Sequence, residues 1–411
     1  MEAGGGALAD ELGGRQMGGF KDFAQHVERT RVVAGRGLLE GVGFEFMKEG
    51  AGRVFIVTDA TIRETGLVDR VSEGVSDGGL EVAGVFDDVP QDSSTDAVER
   101  CAEAAKTAGA DSFLAVGGGS VMDTAKVATT VFTHGGSVHD YEGLYALPRG
   151  GDGMGEPLPV APLACVPTTA GTGSEVSWAA VVKDHEAKVK LELADFPLFP
   201  RLAILDPEST RTLPPQIAAG TGMDAMTHAV EGYVTVEWSP YEDAKALHAL
   251  RLIRHNLERA VHEPEDDTAR GNMLVAASLA ITTNLGATHS MSHPCGGQFG
   301  VPHGVANAIN LPHVIRFNAA GGSDIAARYR DLNDLFGLET GGSDEAVGDA
   351  LAGHIESLVE SLGLPTRLSQ VGVPEDGLPA LVEGAMGDGC TLMNPREPTD
   401  EDYAELYRRA L

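Results

Sequence analysis

A carboxylate and an imidazole occur at a spacing that suits a divalent metal. Asp224 and His228 are four residues apart on a predicted helix, so their side chains share one face. Such a pair forms half of a metal site. On its own, however, it is more often a hydrogen bond at the protein surface.

Three further histidines stand among small residues and prolines in the segment 286–313. His289 and His293 share one helix face, and His303 follows them. Small neighbours let the backbone approach a bulky cofactor, and imidazole is a good ligand for zinc or iron. Either His289 or His293 could complete the half-site, and spacing does not decide between them.

A glycine turn between a strand and a helix suits the diphosphate of a dinucleotide. The apolar run Ser112–Val116 leads into Gly117–Ser120, and Val121 begins a segment with the composition of a helix. Unpaired N–H groups at a helix N-terminus attract a phosphate, and only glycine lets it come close. Met122 stands where GxGxxG would need its last glycine, so a plain tight turn is the alternative.

Two more polar positions follow predicted strands. Pro167–Glu175 places hydroxyls between glycines after the strand Leu163–Val166, which suits a phosphate or ribose, although a capped turn explains it too. Asp59 lies at the end of the strand Val54–Thr58. A carboxylate there can bond a ribose diol and repel a 2′-phosphate, which favours NAD over NADP. An ordinary helix N-cap is the alternative for Asp59.

Hydrophobic periodicity predicts the elements that must position these residues. From Val32 to about Leu213, short apolar runs alternate with helical patterns, most clearly Thr95–Ala108 and Val121–Phe132. This alternation predicts a largely parallel sheet covered by helices. The predicted strands are Val54–Thr58, Val82–Phe86, Ser112–Val116, Ala161–Val166, Val176–Val182 and Leu202–Leu205.

The strand signals stop after Pro214 and Pro215, where helix-compatible segments such as Ala218–Val234 take over. The sequence therefore predicts an α/β dinucleotide-binding domain over residues 31–213 and an all-α, metal-binding domain over residues 214–411. The glycine-rich residues 1–30 are predicted to form a flexible tail, and Pro148–Pro162 a loop.

The charge balance excludes some partners. The chain of 411 residues has 61 acidic and 30 basic residues, a formal net charge of -31. Nucleic acid and anionic membrane are disfavoured, because both need a basic surface. The acidic residues are spread along the chain, which suggests a salt-adapted host, with an acidic mesophilic protein as the alternative.

The compartment is predicted from what the sequence lacks. No apolar run is long enough for a membrane span, and the N-terminus has neither the basic start nor the apolar core of a secretion signal. The four cysteines form no CxxC pair, so a disulfide scaffold or zinc knuckle is not expected. These features predict a cytoplasmic protein.

Taken together, the motifs resemble those of the iron-containing, or group III, alcohol dehydrogenase family. The resemblance rests on Gly117–Ser120 with Asp123 and Lys126, on Pro167–Glu175, and on Gly222–His228. It also rests on the run from His289 through His303-Gly304-Val305-Ala306-Asn307 and on the closing Asn394-Pro395-Arg396. The similarity extends from about Val32 to Leu411 and implies the same two-domain fold.

The resemblance implies roles that spacing leaves open. The metal ligands would be Asp224, His228, His289 and His303, whereas His293 would lie near the nicotinamide and the substrate. The implied cofactor contacts are Asp59, Gly118, Gly119, Ser120, Asp123, Thr168, Thr169, Thr172 and, more weakly, Lys190.

This sequence departs from the family pattern at two places. The usual Asn-Pro after the third strand is replaced by Pro90–Ser94, and the usual apolar residues after His293 by Cys295–Gln298. The first puts a contact on the adenosine side in doubt, and the second the shape of the substrate pocket.

The resemblance implies a metal-dependent, NAD-linked alcohol dehydrogenase with one divalent ion, iron or zinc. In the expected mechanism the metal lowers the pKa of the alcohol oxygen, hydride passes to NAD, and His293 relays the proton. The expected partners are a small alcohol or carbonyl substrate and further copies of the chain in a homodimer or larger oligomer.

Several related functions stay open. The family also includes glycerol dehydrogenases, maleylacetate reductases and hydroxyacid–oxoacid transhydrogenases, although a metal-poor branch is disfavoured because all four ligand positions are occupied. A lyase of the dehydroquinate synthase type would need a basic phosphate pocket, for which few lysines are available. A non-catalytic nucleotide- or metal-binding protein is the remaining alternative.

Overall fold

A six-stranded parallel sheet organises the first half of the chain, in the residues that the structure describes. The structure is a computed structural model, and it describes residues 26–411 except 152, 154, 188 and 283. The predicted tail over residues 1–30 lies largely outside these residues. The strand order is β1-β9-β6-β4-β2-β3. The strands are Arg31–Ala34 (β1), Arg53–Val57 (β2), Glu81–Phe86 (β3), Ser112–Gly117 (β4), Leu163–Pro167 (β6) and Leu202–Leu205 (β9).

Helices cover both faces of this sheet, so its central strands are buried from end to end. β4, β6 and β9 have no exposed residue, which explains why they appear in the sequence as continuous apolar runs. The helices of this half are Val42–Met47 (α1), Ala60–Glu64 (α2), Leu67–Asp77 (α3), Thr95–Ala108 (α4) and Gly119–His134 (α5). The predicted α/β class of this half is confirmed.

A smaller sheet differs from the prediction. Its strands, in the order β5-β8-β7, are Gly143–Leu144 (β5), Ala179–Asp184 (β7) and Val189–Ala194 (β8). The strand predicted over Val176–Val182 begins later, because Ser174–Val176 forms a 3₁₀ turn, and it pairs antiparallel with β8 outside the main sheet. The sequence analysis missed β8 and also β1, which are short and half-exposed.

The second half is helical, as predicted, and no strand follows Leu205 in the described part of the chain. The first of its helices, Pro215–Val234 (α6), is buried on almost every side by its neighbours. The others are Pro240–His262 (α7), Asp267–Ala280 (α8), Ala287–Phe299 (α9), His303–Ala319 (α10), Ser323–Phe336 (α11), Asp344–Ser361 (α12), Leu378–Met386 (α13) and Asp400–Ala410 (α14). Of the helices described, none is long and apolar enough to cross a membrane.

The main sheet reverses its winding direction between β2 and β4. From β2 the chain moves outward to β3, whereas from β4 it moves the other way, through β6 to β9. At such a switch point the loops after the two strands diverge and leave a crevice at the carboxyl ends of the strands. Asp59 follows β2 and Gly118 follows β4, so the crevice lies between two of the predicted cofactor positions.

Candidate active site

Three imidazoles converge on one carboxylate oxygen in the helical half. The Oδ1 atom of Asp224 lies 3.9 Å from Nε2 of His228, 3.8 Å from Nε2 of His289 and 3.3 Å from Nε2 of His303. Asp224 and His228 come from α6, His289 from α9, and His303 begins α10. The four residues form the ligand cage, a name we use below.

Close approach of α6 and α10 brings His303 to the cage. A Cβ atom added to Gly304 would lie 2.1 Å from the carbonyl oxygen of Gly220, which is far too close for any side chain. Gly222 is similarly tight, because an added Cβ would lie 2.2 Å from Leu257 on α7. Glycines in the predicted motifs therefore permit the helix packing that assembles the cage.

Glu231, one turn after His228 on α6, holds His289 in place. Its Oε2 accepts hydrogen bonds from Nδ1 of His289 at 2.6 Å and from the backbone N–H of Gly286 at 2.9 Å. Its Oε1 accepts from the backbone N–H of Thr288 at 2.6 Å. Because Nδ1 of His289 donates to the carboxylate, Nε2 points toward Asp224 and is the atom that can bind a metal once its proton has left.

The electrostatics of the cage favour a cation. Burial alone would raise the pKa of Asp224, but the nearby charges of His228 and His303 outweigh it and hold that pKa well below its usual range. Burial alone would lower the pKa of His289, but the carboxylates of Glu231 and Asp224 outweigh it and raise the pKa to about 9. Burial lowers the pKa of His228 to about 4, so that imidazole is neutral at pH 7.

The donor set fits a zinc or iron ion. With metal–ligand bonds of about 2.1 Å, tetrahedral donors lie roughly 3.4 Å apart, and the three imidazole nitrogens lie 3.3–3.9 Å from Oδ1 of Asp224. The Asn307 amide nitrogen lies 2.8 Å from Asp224 Oδ1, and its oxygen is a buried atom without a hydrogen-bond partner in the described residues. The side chain of His303 is 40% exposed, so one side of the cage is open to an entering molecule.

His293 lies beside the cage but has a different partner. Its Nδ1 is 2.6 Å from Oδ2 of Asp388, and its ring stacks on that of His303 with centroids 5.5 Å apart. Burial alone would raise the pKa of Asp388, but the hydrogen bond and charge of His293 outweigh it and lower the pKa to about 2. Asp388 is therefore an ionised acceptor that orients the imidazole.

Two loops meet at the carboxyl ends of the neighbouring strands β4 and β6. Gly118 is the N-cap of α5, and an added Cβ would lie 3.4 Å from Thr169. An added Cβ on Gly119 would lie 2.9 Å from Thr172. The hydroxyl of Thr169 is buried and has no hydrogen-bond partner in the described part of the chain. The glycine turn and the threonine loop thus form one surface at a helix N-terminus.

Asp123 joins the two loops from inside. One of its oxygens accepts from the hydroxyl of Ser174 at 2.7 Å and the other from the backbone N–H of Val181 at 3.0 Å. The buried Lys126 donates to the same Ser174 hydroxyl at 2.8 Å and to the carbonyl of Ala179. These contacts make Asp123 a residue that positions the loops.

The remaining predicted cofactor residues lie on or next to four different elements of the first half of the chain. Asp59 is the N-cap of α2, and one oxygen accepts from the backbone N–H of Ile62 at 2.9 Å. Thr168 is buried at the end of β6 and bonds the carbonyl of Gly117 through its N–H. The Ser120 hydroxyl bonds the carbonyl of Gln91. Lys190 is exposed on the small sheet.

The threonine loop also packs against the helix that carries Asp224. A Cβ added to Gly171 would lie 2.6 Å from the carbonyl oxygen of Thr221, three residues before Asp224 in α6. A Cβ added to Gly173 would lie 2.5 Å from Ile281. The threonine loop is therefore in direct contact with the helix that carries Asp224 and His228.

The sequence analysis missed Glu231 and Asp388. Glu231 had a detectable signal, because it lies three residues after His228 and shares its helix face. Asp388 had no such signal, because it is 95 residues from its partner His293 and only caps a 3₁₀ turn.

Models of one family match both halves of the chain. Residues 29–207 match "Iron-containing alcohol dehydrogenase", and residues 218–411 match "Fe-containing alcohol dehydrogenase family, C-terminal".

Individual relatives cover almost the whole chain. The NAD-dependent methanol dehydrogenase of Bacillus methanolicus is 35% identical, over 92% of this chain and 97% of that protein. The lactaldehyde reductase of Escherichia coli is 34% identical, over 92% and 96%. A solved 1,3-propanediol oxidoreductase superposes with a TM-score of 0.88 at 33% identity, over 94% of this chain and 99% of that one.

Proposed function

The chain belongs to the iron-containing alcohol dehydrogenase family, and from this premise we propose that residues 31–213 bind NAD and residues 214–411 hold the metal. It is an oxidoreductase that acts on CH–OH groups and interconverts alcohols with aldehydes or ketones. Among alcohols, we propose a small aliphatic substrate, because the relatives are named for methanol, lactaldehyde and propanediol.

One contact supports the proposal that the cofactor loops and the ligand cage form a single reaction centre. The threonine loop after β6 touches the turn of α6 just before Asp224, through Gly171 and Thr221. A dinucleotide bound across the switch point would therefore have its reactive end beside the ligand cage.

We propose Asp224, His228, His289 and His303 as the metal ligands, with Fe²⁺ as the ion. The Nε2 atoms of the three histidines already lie within 3.9 Å of Oδ1 of Asp224. When bound, the ion supplies Lewis-acid chemistry for an alcohol or carbonyl oxygen, and the nicotinamide supplies hydride transfer. Glu231 fixes the orientation of His289, and the exposed edge of His303 leaves an approach for the substrate.

His293 is the proposed catalytic residue for proton transfer. Because its Nδ1 donates to Asp388, its Nε2 carries a lone pair that can accept a proton. The proton can then pass from Nε2 to solvent. The partly exposed ring, with 28% of its side chain accessible, permits that exchange.

The cofactor contacts follow from the crevice. Gly118, Gly119 and Ser120 present the N-terminus of α5 to the diphosphate, and Thr168, Thr169 and Thr172 line the facing loop. Asp59 faces the ribose from the end of β2 and favours NAD over NADP. Asp123 acts by holding the loops together, and Lys190 is a peripheral contact.

The remaining proposals concern the setting of the protein. The net charge of -31 supports a salt-adapted host. All four cysteines are free thiols, which supports a reducing cytoplasm. A homodimer is proposed as the assembly.

The experiment compares alanine variants at the ligand cage and beside it. Asp224→Ala and His289→Ala should lose most bound metal and most activity, whereas His293→Ala should retain metal and turn over more slowly. Metal content is measured on purified protein, and activity as NADH formed from small alcohols. Net NADH formation also excludes a transhydrogenase or lyase, which regenerates its cofactor. Metal loss in His293→Ala with retention in His289→Ala would reverse the assignment.

A further inference from the structure

A second group of metal-ligating side chains lies beside the ligand cage. It consists of His293, Asp388 and Cys390, and one donor atom from each lies within 4.8 Å of the others. All three are partly buried, so solvent reaches them. We call this group the triad.

Backbone contacts hold the triad in shape. His293 lies on α9, and Asp388 is the N-cap of the 3₁₀ turn Gly389–Met393, which contains Cys390. Asp388 accepts from Nδ1 of His293 at 2.6 Å and from the backbone N–H of Cys390 at 2.9 Å. The thiol of Cys390 lies within 4.8 Å of the carboxylate. The imidazole of His293 and the backbone of Cys390 thus bond different oxygens of the same carboxylate.

We propose that the triad is a second, inhibitory binding site for Zn²⁺ and similar thiophilic divalent cations. An imidazole nitrogen, a carboxylate oxygen and a sulfur are all accepted zinc ligands, and three protein ligands leave a fourth position for water. One donor atom from each residue already lies within 4.8 Å of the others, so side-chain movements alone bring them to tetrahedral separations. On binding, the thiol proton of Cys390 leaves to solvent, and the Nδ1 proton of His293 moves to Nε2 as Nδ1 takes the cation.

Of the four cysteines, Cys390 is the one suited to this role. Cys101, Cys165 and Cys295 are buried, and Cys295 donates to the carbonyl of Met291 within its own helix. Cys390 is partly accessible, and because burial and the neighbouring Asp388 carboxylate raise the pKa of its thiol, it becomes a thiolate only when a cation binds. Thiolate is the ligand that makes such a site selective for zinc over magnesium or calcium.

Inhibition rests on the proposed role of His293. A cation on Nδ1 leaves the imidazole with its proton on Nε2 and no lone pair, so the ring can no longer accept a proton. The cation also binds the Asp388 carboxylate, which otherwise orients the ring. Occupancy of the triad should therefore stop proton transfer without removing the ion in the ligand cage.

Cobalt provides a test of the site that does not depend on activity. The probe is Co²⁺ added to the full-length protein, with thiolate-to-cobalt absorption in the near ultraviolet as the readout. We expect this band in the wild type and in His289→Ala, which disables the ligand cage alone. The band should be absent in Cys390→Ser and Cys390→Ala and present in the control Cys295→Ala, with folding checked by circular dichroism. A band that persists without Cys390, or is absent from the wild type, overturns the proposal.

Zinc inhibition of the enzyme provides a second experiment, which tests the inhibitory role of the triad. Each variant is compared with its own zinc-free rate, using metal-loaded enzyme and NADH formation. Removing the thiolate in Cys390→Ala should raise the zinc concentration for half-inhibition by at least about tenfold. Equal inhibition of both proteins overturns the inhibitory role. If no alcohol is oxidised by any variant but the cobalt band behaves as expected, the proposed function fails and the metal site stands.

Discussion

Replacing Glu231 with glutamine tests the idea that this carboxylate prepares His289 for metal binding. Glu231 is only 3% exposed and accepts three hydrogen bonds, one on Oε1 and two on Oε2. Glutamine has the same shape, but its NH₂ group cannot accept a hydrogen bond. Both carboxylate oxygens face N–H donors, so either orientation of the amide sets a donor against a donor.

The two orientations have different costs. If the NH₂ group faces Thr288, one buried N–H loses its partner, at a cost of about 1–3 kcal/mol of stability. If it faces His289, the backbone N–H of Gly286 loses its partner instead, and the imidazole must accept on Nδ1 and carry its proton on Nε2, the atom that points at Asp224. In both cases His289 loses its carboxylate partner, for which losses of about 10–100-fold in metal affinity are typical. That range corresponds to about 1.4–2.7 kcal/mol.

The assay is competition for metal between the protein and a chelator, with thermal unfolding measured in parallel. Glu237→Gln is the matched control, because it makes the same chemical change at an exposed position six residues further along. We expect Glu231→Gln to bind metal at least about tenfold more weakly while the control matches the wild type. A folded Glu231→Gln protein whose metal affinity stays within twofold of the wild type refutes the reasoning.

Four further predictions follow from particular contacts and charges. Asp59→Gly should raise the use of NADP relative to NAD, measured as the ratio of kcat/KM values, and a wild type that already prefers NADP would contradict this. Gly304→Ala places a Cβ 2.1 Å from a carbonyl oxygen of the facing helix. It should lower the melting temperature, at an overpacking cost of about 1–3 kcal/mol, and lose metal, whereas Gly297→Ala, with open space around the added Cβ, should do neither. Burial alone would raise the pKa of Asp388, but His293 outweighs it and lowers the pKa to about 2. The ionised carboxylate therefore stabilises the fold fully above about pH 4, the pKa of aspartate in the unfolded chain, and this contribution is lost as the pH falls toward 2. Acid unfolding should therefore show wild type more stable than Asp388→Asn at pH 5, with a gap that closes by pH 2; a constant gap would count against the pair. Finally, a net charge of -31 predicts a melting temperature that rises between about 0.1 and 3 M KCl, because the Debye length falls from about 10 Å to below about 3 Å and screens the acidic surface. A melting temperature that does not change over this range would remove the argument for salt adaptation.

Local signals predicted the regular elements where they agreed with one another. The helix Thr95–Ala108 has the predicted bounds, because an apolar stripe, the Ser94 cap and the left-handed Gly109 all mark the same segment. The parallel sheet could be predicted equally well, since strands buried on both faces must be apolar throughout. The half-exposed strands β1 and β8 gave no such signal, because their stability depends on neighbours that the sequence does not identify.

Residue types and local spacing alone determined the chemistry available to this protein: imidazoles and a carboxylate on helices, and a glycine turn at a helix N-terminus. Only the tertiary structure decided which histidine faces which carboxylate. His289 and His293 share one helix face, yet the first points its Nε2 toward Asp224 and the second bonds Asp388. Their hydrogen-bond partners, Glu231 and Asp388, lie 58 and 95 residues away, on elements brought near by the packing of the chain. Such contacts depend on how the helices pack against one another, which no local pattern encodes.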